Sequence, residues 1–218
     1  MGLGIVFWQR GEAIGGGGTR SLSSSALARS GVRGRVARPS SPGSLGPEGV
    51  PIPAAPALAG PGRPALGARV DGISCGTIEQ LAFHVHAHLT IFVSSEPRRV
   101  PAGVGIGAPR TVVLTAVGAF VAGGTCFSWL HTHAADGIIH IESPVQRAFT
   151  LGDFFDVWNQ PLGSRRIGST TGRVTAFLDG RHYHGNPRDI PLTRHAQIQL
   201  DIGGPTVAPE SVRFPQGL

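Results

Sequence analysis

A strict alternation of polar and apolar residues runs through "HVHAHLTIFV" at 84–93 and restricts what this part of the chain can form. The odd positions are apolar, whereas His84, His86 and His88 occupy even positions. A period of two is typical of a half-buried β-strand, in which successive side chains point to opposite faces. We therefore predict a strand that carries three histidines on its polar face.

The segments that follow extend the β pattern and contain one helix. β-Branched or alternating apolar residues predict further strands at 111–117, 126–133, 138–142, 174–184 and 195–202. Asp179 and Gly180 lie between apolar runs and predict a two-residue hairpin turn. A helix is predicted at 150–163, with Thr150 as N-cap and Asp153 completing a capping box. The expected fold is mainly β (α+β), a single β-barrel or sandwich-like domain with one packed α-helix.

Composition divides the chain at about residue 70. Residues 1–70 carry eight of the 19 basic residues, all of them arginine, but only two acids, Glu12 and Glu48, so the formal charge of +6 belongs to this part. The same part is rich in Gly, Pro, Ser and Ala, and it has no apolar periodicity that could offset the entropy of ordering. We predict a disordered low-complexity tail at 1–70 and a His-rich β domain at 71–218.

The arginines of the predicted tail suggest no specific partner. They are scattered and lack interleaved aromatic residues, so specific nucleic-acid binding is not expected. No stretch approaches the roughly 20 apolar residues of a transmembrane helix. Membrane association would require an N-terminal anchor that is not readable in this sequence.

The histidines are distributed far from randomly. The nine histidines form four His-x-His pairs, at 84/86, 86/88, 131/133 and 182/184. Fewer than about one such pair is expected by chance, and on a strand both rings of a pair face the same side. Clustered imidazoles on one face are typical of a metal site.

A hairpin at 130–142, "LHTHAADGIIHIE", brings more of these residues together. If four residues form the loop, His131 lies opposite His140. If only two residues form the turn, His133 lies opposite His140. Both registers place these three histidines and Glu142 on one face, where opposed Cβ atoms are about 4.5–5.5 Å apart. Three imidazoles can bind zinc and leave a coordination position open for water.

The predicted metal ligands are His84, His86, His88, His131, His133 and His140. The rings of His84 and His88 are about 13 Å apart along a straight strand, so they cannot share one ion. Either two of the strand histidines join the hairpin site, or two sites exist, or one histidine lies outside the ligand shell. Zinc and copper(II) are the predicted ions and iron(II) is a further candidate, whereas copper(I) transfer is not expected because Met1 is the only methionine.

The two cysteines leave three alternatives open: a disulfide, two buried thiols or metal ligands. On an undisturbed strand Cys126 points away from His131 and His133, which disfavours a site shared by cysteine and histidine. The remaining histidines, His182, His184 and His195, receive no role, since the first two lie beside a predicted exposed turn.

Three functions fit these patterns. The first is metal binding by strand-borne histidines. The second is a metal-dependent enzyme, a hydrolase or hydratase or an oxidoreductase, in which Glu142 or Asp136 acts as general base toward a metal-bound water. The third is a non-catalytic interaction domain whose histidines sense pH. The alternative to all three functions is that the histidines have no metal or sensing role and line a solvated face, or hydrogen-bond one another in a polar cavity.

The sequence contains five longer motifs: "HVHAHLTIF", "VPAGVGI", "SWLHTHAADGIIHIESP", "FTLGDFFDVWNQPLG" and "IPLTRHAQIQLDIG". Together they resemble a family of His-rich proteins found in actinobacteria and some proteobacteria. The resemblance covers about residues 72–218 and adds weight to the six predicted ligands, but it implies no reaction. It implies an extracytoplasmic or membrane-associated location, and with it a bridge between Cys75 and Cys126. The chain departs from the family at Ala134, where relatives carry an aspartate.

Overall fold

The structure is a computed structural model that describes residues 43–218, so the predictions that concern residues 1–42 lie outside it. The described part contains one α-helix, α1 (Leu151–Val157), and a short 3₁₀ helix at Pro187–Asp189. Its strands, in chain order, are β1 (Ser44–Leu45), β2 (Pro51–Ile52), β3 (Arg69–Val70), β4 (Ile73–Gly76), β5 (Phe83–Val93), β6 (Glu96–Arg98), β7 (Thr111–Thr115), β8 (Gly118–Gly123), β9 (Phe127–Ser128), β10 (Leu130–His131), β11 (Ile138–Ser143), β12 (Leu162–Gly163), β13 (Arg166–Ile167), β14 (Thr170–Thr171), β15 (Val174–Leu178), β16 (Arg181–Tyr183) and β17 (Gln197–Ile202).

The largest sheet has the strand order β10-β11-β5-β17-β15-β16, and β6 pairs with the end of β5. The pairing of β17 with β5 is parallel, and the other pairings in this sheet are antiparallel. The predicted fold class, mainly β with one packed α-helix, is confirmed. Within residues 43–218 the sheets do not close into a barrel.

The apolar face of the large sheet forms the core. Alternate residues of β5, from Val85 to Ile91, are buried, as are Ile198, Leu200 and Ile202 of β17. They belong to one hydrophobic cluster with the aromatic residues of α1 and with Trp158, which are fully buried. Burial of each large apolar side chain contributes about 1.5–3 kcal/mol, so this face holds the strands in register. The opposite face carries histidines on β5, whereas on β17 it carries Gln197, Gln199 and Asp201.

The helix begins as predicted and ends earlier. Thr150 is the N-cap, and its hydroxyl and the carboxylate of Asp153 form the predicted capping box. The helix ends at Val157 because Asn159 adopts a left-handed conformation with φ 57°. The amide of Gln160 then donates to the carbonyl of Phe155, which closes a Schellman motif.

The predicted hairpin turn is confirmed, whereas one predicted strand is interrupted. Asp179 and Gly180 both have positive φ values, as a tight hairpin turn between β15 and β16 requires. The strand predicted at 126–133 is broken into β9 and β10, because β9 pairs with β4 while β10 pairs with β11. Neither the periodicity nor the composition of this segment reveals that its two ends have different partners.

Residues 43–70, assigned by composition to the tail, differ from that prediction. They contain β1, β2 and β3, and Val50 is fully buried. The carbonyl of Gly60 accepts a hydrogen bond from the Trp158 ring. The amide of Leu58 donates to the carbonyl of Arg99, whose own amide donates to the carbonyl of Pro56. The segment lacks periodicity because its order comes from these contacts with the domain and not from a core of its own.

Cys75 and Cys126 form a disulfide that joins β4 to the start of β9. This resolves the three alternatives for the cysteines and removes both from the set of available metal ligands. Over residues 43–218, no helix combines the length and the apolar character that a membrane span needs.

Candidate metal centre

The strand register arranges the histidines in rows across β10, β11 and β5. His131 lies opposite His140, and His140 lies opposite His86, so three imidazoles form one row over three neighbouring strands. Glu142 lies opposite His84 in the adjacent row. Of the two registers considered from the sequence, the structure has the one that opposes His131 to His140, and residues 132–137 connect the two strands.

The turn of this hairpin requires glycine. Gly137 has a φ of 90°, and a Cβ atom there would lie 2.5 Å from the carbonyl oxygen of Leu89. That carbonyl belongs to β5, whose Leu89 amide also donates to the Gly137 carbonyl. The close approach presses the loop against β5 and brings β11 into line with the histidines of that strand.

We call His84, His86, His140 and Glu142 the first ligand group. The Nε2 atom of His84 lies 3.0 Å from His86 Nε2 and 3.0 Å from Glu142 Oε1. The Nδ1 atom of His140 lies 3.2 Å from each of His86 Nε2 and Glu142 Oε1. Each of these three nitrogens and the carboxylate oxygen therefore lies within 3.2 Å of two others, and the three nitrogens lie within 4.8 Å of one another.

We call Glu79, His131, His133 and the second oxygen of Glu142 the second ligand group. The Nε2 atoms of His131 and His133 are 3.1 Å apart. Glu79 Oε1 lies 3.3 Å from His133 Nε2 and 4.0 Å from His131 Nε2, and Glu142 Oε2 lies 3.8 Å from His131 Nε2. Glu142 belongs to both groups because its two oxygens face different histidines.

These separations are those of atoms that bind a common ion. Ligands held at 2.0–2.1 Å in tetrahedral geometry are about 3.3 Å apart, and no two of them can exceed about 4.2 Å. In the described part of the chain, sets of three donors within 4.8 Å of one another are His84–His86–His140, His131–His133–His140 and Glu79–His131–Glu142. The structure thus contains histidine clusters that could hold a metal ion.

Backbone carbonyls set the tautomers of the hairpin histidines. His131 Nδ1 lies 2.9 Å from the Ser128 carbonyl, and His133 Nδ1 lies 2.6 Å from the Val121 carbonyl. Each Nδ1 must carry a proton to donate to its carbonyl. In the neutral ring, Nε2 is then unprotonated and its lone pair is available. The ring of Phe120 stacks on His133 at 4.7 Å and holds its plane.

The Gly-rich segment "VPAGVGIGAP" supports the strand that carries these two rings. Gly105, with a φ of 70°, brings the segment so close that a Cβ atom would lie 2.2 Å from the Leu130 carbonyl oxygen. The side-chain hydroxyl of Thr132 accepts from the amide of Val104 and donates to the carbonyl of Pro101. The segment is a packed loop, and its glycines provide close backbone approach.

His140 is oriented by a carboxylate outside the predicted set. Its Nε2 lies 2.6 Å from Glu48 Oε1, so Nε2–H donates to Glu48 and Nδ1 faces the first ligand group. A carboxylate that binds the far nitrogen of a ligating histidine fixes the tautomer and raises the ring's basicity. The other oxygen of Glu48 accepts a hydrogen bond from the backbone amide of Ala134.

Burial keeps His86 and His131 neutral. Burial, and then the positive charges of His140 and His84, lower the pKa of His86 to about 3. Burial, followed by the charges of His140 and His133, holds the pKa of His131 well below its ordinary value. Neutral imidazole is the form that binds metal ions.

His140 behaves in the opposite way. Burial lowers its pKa, but the hydrogen bonds to Glu142 and Glu48 outweigh burial and raise the pKa to about 9. Without a metal, His140 is therefore the charged ring, with each N–H donating to a carboxylate. An ion that binds Nδ1 displaces a proton from it.

His88 is separated from the other predicted ligands. Its Nε2 lies 2.9 Å from the Asp136 carbonyl, and its Nδ1 lies 3.5 Å from the Thr90 hydroxyl. Ile138, which is fully buried, lies opposite it on β11 and separates it from the hairpin rings. Burial lowers the pKa of His88 to about 4. Both of its nitrogens have partners outside the two ligand groups.

Asp136, a predicted general base, lies in the hairpin loop away from the ligand groups. Its Oδ1 accepts from the amide of Ile138, and its Oδ2 has no hydrogen-bond partner among the described residues. Burial, and then the charge of Glu48, raise the pKa of Asp136 to about 7. The residue borders a cavity of about 350 Å³ that His88 and Arg98 also line.

The sequence predictions missed two acidic residues at the centre. Glu48 lies in a segment that composition assigns to the tail, where its only signal is that it is one of two acids. Glu79 lies between β4 and β5 in a stretch without periodicity. His182 and His184 are exposed on the hairpin of β16, and His195 stacks on Phe214, so these three histidines lie outside both ligand groups.

No protein-family model, no curated protein and no solved structure matches this chain. The resemblance to the His-rich bacterial family accordingly remains a prediction.

Proposed function

We propose that this protein binds a transition metal ion, zinc or copper(II), at histidine and glutamate side chains of β5, β10 and β11 and of the neighbouring segments that carry His133 and Glu79. The observation that carries the proposal is the pair formed by His131 and His133. Their Nδ1 atoms donate to backbone carbonyls, and their Nε2 atoms face each other at 3.1 Å. Two unprotonated nitrogens at this distance repel each other, and a cation bound by both removes the repulsion.

The ligand chemistry supports zinc and copper(II). Imidazole nitrogen and carboxylate oxygen suit both ions, and the disulfide leaves no thiolate to favour a softer one. Iron(II) is the third candidate, because two histidines and one carboxylate form the ligand set of many non-haem iron sites. The side chains of His84 and Glu79 are about one-third exposed, which provides a route for an ion from solvent.

The test is the metal content of protein purified without an affinity tag. We expect at least one tightly held ion per chain by elemental mass spectrometry, and less than about a tenth of it in His131→Ala/His140→Ala, since multidentate binding is lost. The matched control is His182→Ala/His184→Ala, which removes an exposed histidine pair and should keep the ion. Wild-type protein without metal, or equal metal in both variants, contradicts the proposal, provided that circular dichroism shows all three proteins folded.

A metal-dependent enzyme is the second candidate, and the partial exposure of His84 and Glu79 favours it, because an accessible ion can carry water. Bound zinc lowers the pKa of such a water to about 7 and makes it a nucleophile for hydrolysis or hydration. In the same samples, cobalt(II) spectra that change with pH or with added anions support an open coordination position. Spectra insensitive to both indicate a closed site.

A further inference from the structure

We infer that the centre holds two metal ions, one in each ligand group, with the carboxylate of Glu142 as the bridge between them. The inference rests on the proposed metal binding and goes beyond it in the number of ions and in the role of Glu142. Its basis is the number of donors, the geometry of Glu142 and the distance limits within each group.

The two groups offer more donors than one ion can use. Zinc in proteins is almost always four-coordinate. The first ligand group already supplies three nitrogens and one oxygen with neighbouring separations of 3.0–3.2 Å. His131, His133 and Glu79 remain, and of these the two histidines are almost completely buried. A single ion in the first group would leave their lone pairs facing each other without a partner.

Glu142 has the geometry of a bridge. Its Oε1 lies beside His84 and His140 of the first group. Its Oε2 is buried and accepts no hydrogen bond from any described residue, yet it lies 3.8 Å from His131 Nε2. That distance is too long for a hydrogen bond but within the limit of about 4.2 Å for two ligands of one ion. A buried carboxylate oxygen without a partner is costly, and an ion in the second group satisfies it.

The second group contains further distances within the same limit. Glu79 Oε1 is 3.3 Å from His133 Nε2 and 4.0 Å from His131 Nε2, and Glu79, His131 and Glu142 form one set of three donors within 4.8 Å of one another. Ions bound to the two oxygens of one carboxylate are about 3.5–4 Å apart, the spacing of two-metal sites that polarise a substrate or water from both sides.

The test is the stoichiometry of zinc binding by native mass spectrometry, in a His182→Ala/His184→Ala background that removes the exposed pair. We expect two zinc ions per chain, and one ion in each of His86→Ala and His133→Ala, which alter only the first and only the second group. Glu142→Gln is expected to weaken at least one of the two binding steps more than tenfold. Circular dichroism of each variant shows whether it is folded.

Copper(II) provides an independent measurement. Two copper(II) ions at this spacing give a magnetically coupled paramagnetic resonance spectrum, and His86→Ala or His133→Ala should convert it to that of an isolated ion. One zinc ion in the background protein, or two uncoupled copper(II) ions, overturns the two-ion inference and leaves the proposed metal binding intact. Protein that binds neither ion overturns both.

Discussion

Glu48 is the residue on which the orientation of the central imidazole depends. His140 lies between the other histidines, and its two nitrogens have different surroundings: Nε2 donates to Glu48, whereas Nδ1 faces His86 and Glu142. The tautomer that exposes Nδ1 to a metal is the one that the Glu48 carboxylate stabilises. Glu48 therefore acts on the metal through His140 and is a positioning residue.

We expect Glu48→Ala to weaken zinc binding about 10–100-fold, because loss of a carboxylate behind a ligating histidine has effects of this size. Glu48→Gln keeps a hydrogen-bond acceptor and should lose less. Competition with a chromophoric chelator measures both constants. Glu96→Gln, at an exposed position on β6, is the control and should bind as wild type. Equal affinity in Glu48→Ala and wild type would show that the contact does not orient the ring.

At the scale of elements, β17 shares the polar face of β5 but uses it differently. Gln197, Gln199 and Asp201 bind the backbone of the C-terminal segment at Val207, Glu210 and Val212. In β5 the equivalent face carries His84 and His86, whose rings contact Glu142 and His140 of β11. Of these two neighbouring strands with the same alternation, β17 thus binds the C-terminal segment, whereas β5 carries histidines of the candidate metal centre.

Asp201 gives this element a characteristic dependence on pH. Burial raises its pKa above 3.8, although hydrogen bonds from Gln199 and the Val207 amide oppose this. The folded state therefore binds the proton more tightly than the unfolded state, and this group's contribution to the free energy of unfolding falls as pH rises through the raised pKa.

Asp201→Asn removes that contribution. We expect the stability of wild type relative to Asp201→Asn to decrease as pH rises above about 4, and to level off above the raised pKa. Urea denaturation at several pH values measures the difference between the two proteins, which cancels the titration of the histidines. A difference that stays constant or grows with pH would mean that burial does not raise this pKa.

At the scale of the whole molecule, the disulfide connects parts that the large sheet does not join. Cys75 in β4 and Cys126 before β9 are 51 residues apart, and the closed loop contains β5 to β8. Glu79 and the histidines of β5 lie within this loop. Disulfides persist in oxidising compartments, which supports the proposal of an extracytoplasmic location.

We expect Cys75→Ser/Cys126→Ser to lower the free energy of unfolding by about 4 kcal/mol, the value for release of a loop of this length in the unfolded chain. Guanidinium denaturation of the oxidised wild type and of the variant measures the loss. Wild type treated with a reductant serves as control and should lose a similar amount. A variant as stable as the oxidised protein would show that the sheets alone hold β4 and β9 together.

Local patterns in the sequence were sufficient for some of the elements and for part of the site. The alternation in 84–93, the capping box at Thr150 and the turn at Asp179–Gly180 each depend on neighbours within a few residues, and the structure confirms all three. The same alternation places His84, His86 and His88 on one face of the sheet. In the hairpin, the spacing of His131, His133 and His140 places these three side chains on one face as well.

Only the tertiary structure decided which of those histidines meet. Pairing of β11 with β5 aligned His140 with His86 and set Ile138 beside His88, which separates His88 from the rest. Glu48 and Glu79 reach the centre from segments without periodicity, so no local pattern predicts them. The physical reason is that alternation determines the face of a strand to which a side chain points. The register between strands, and the path of the segments that cover them, depend on contacts between residues distant in sequence.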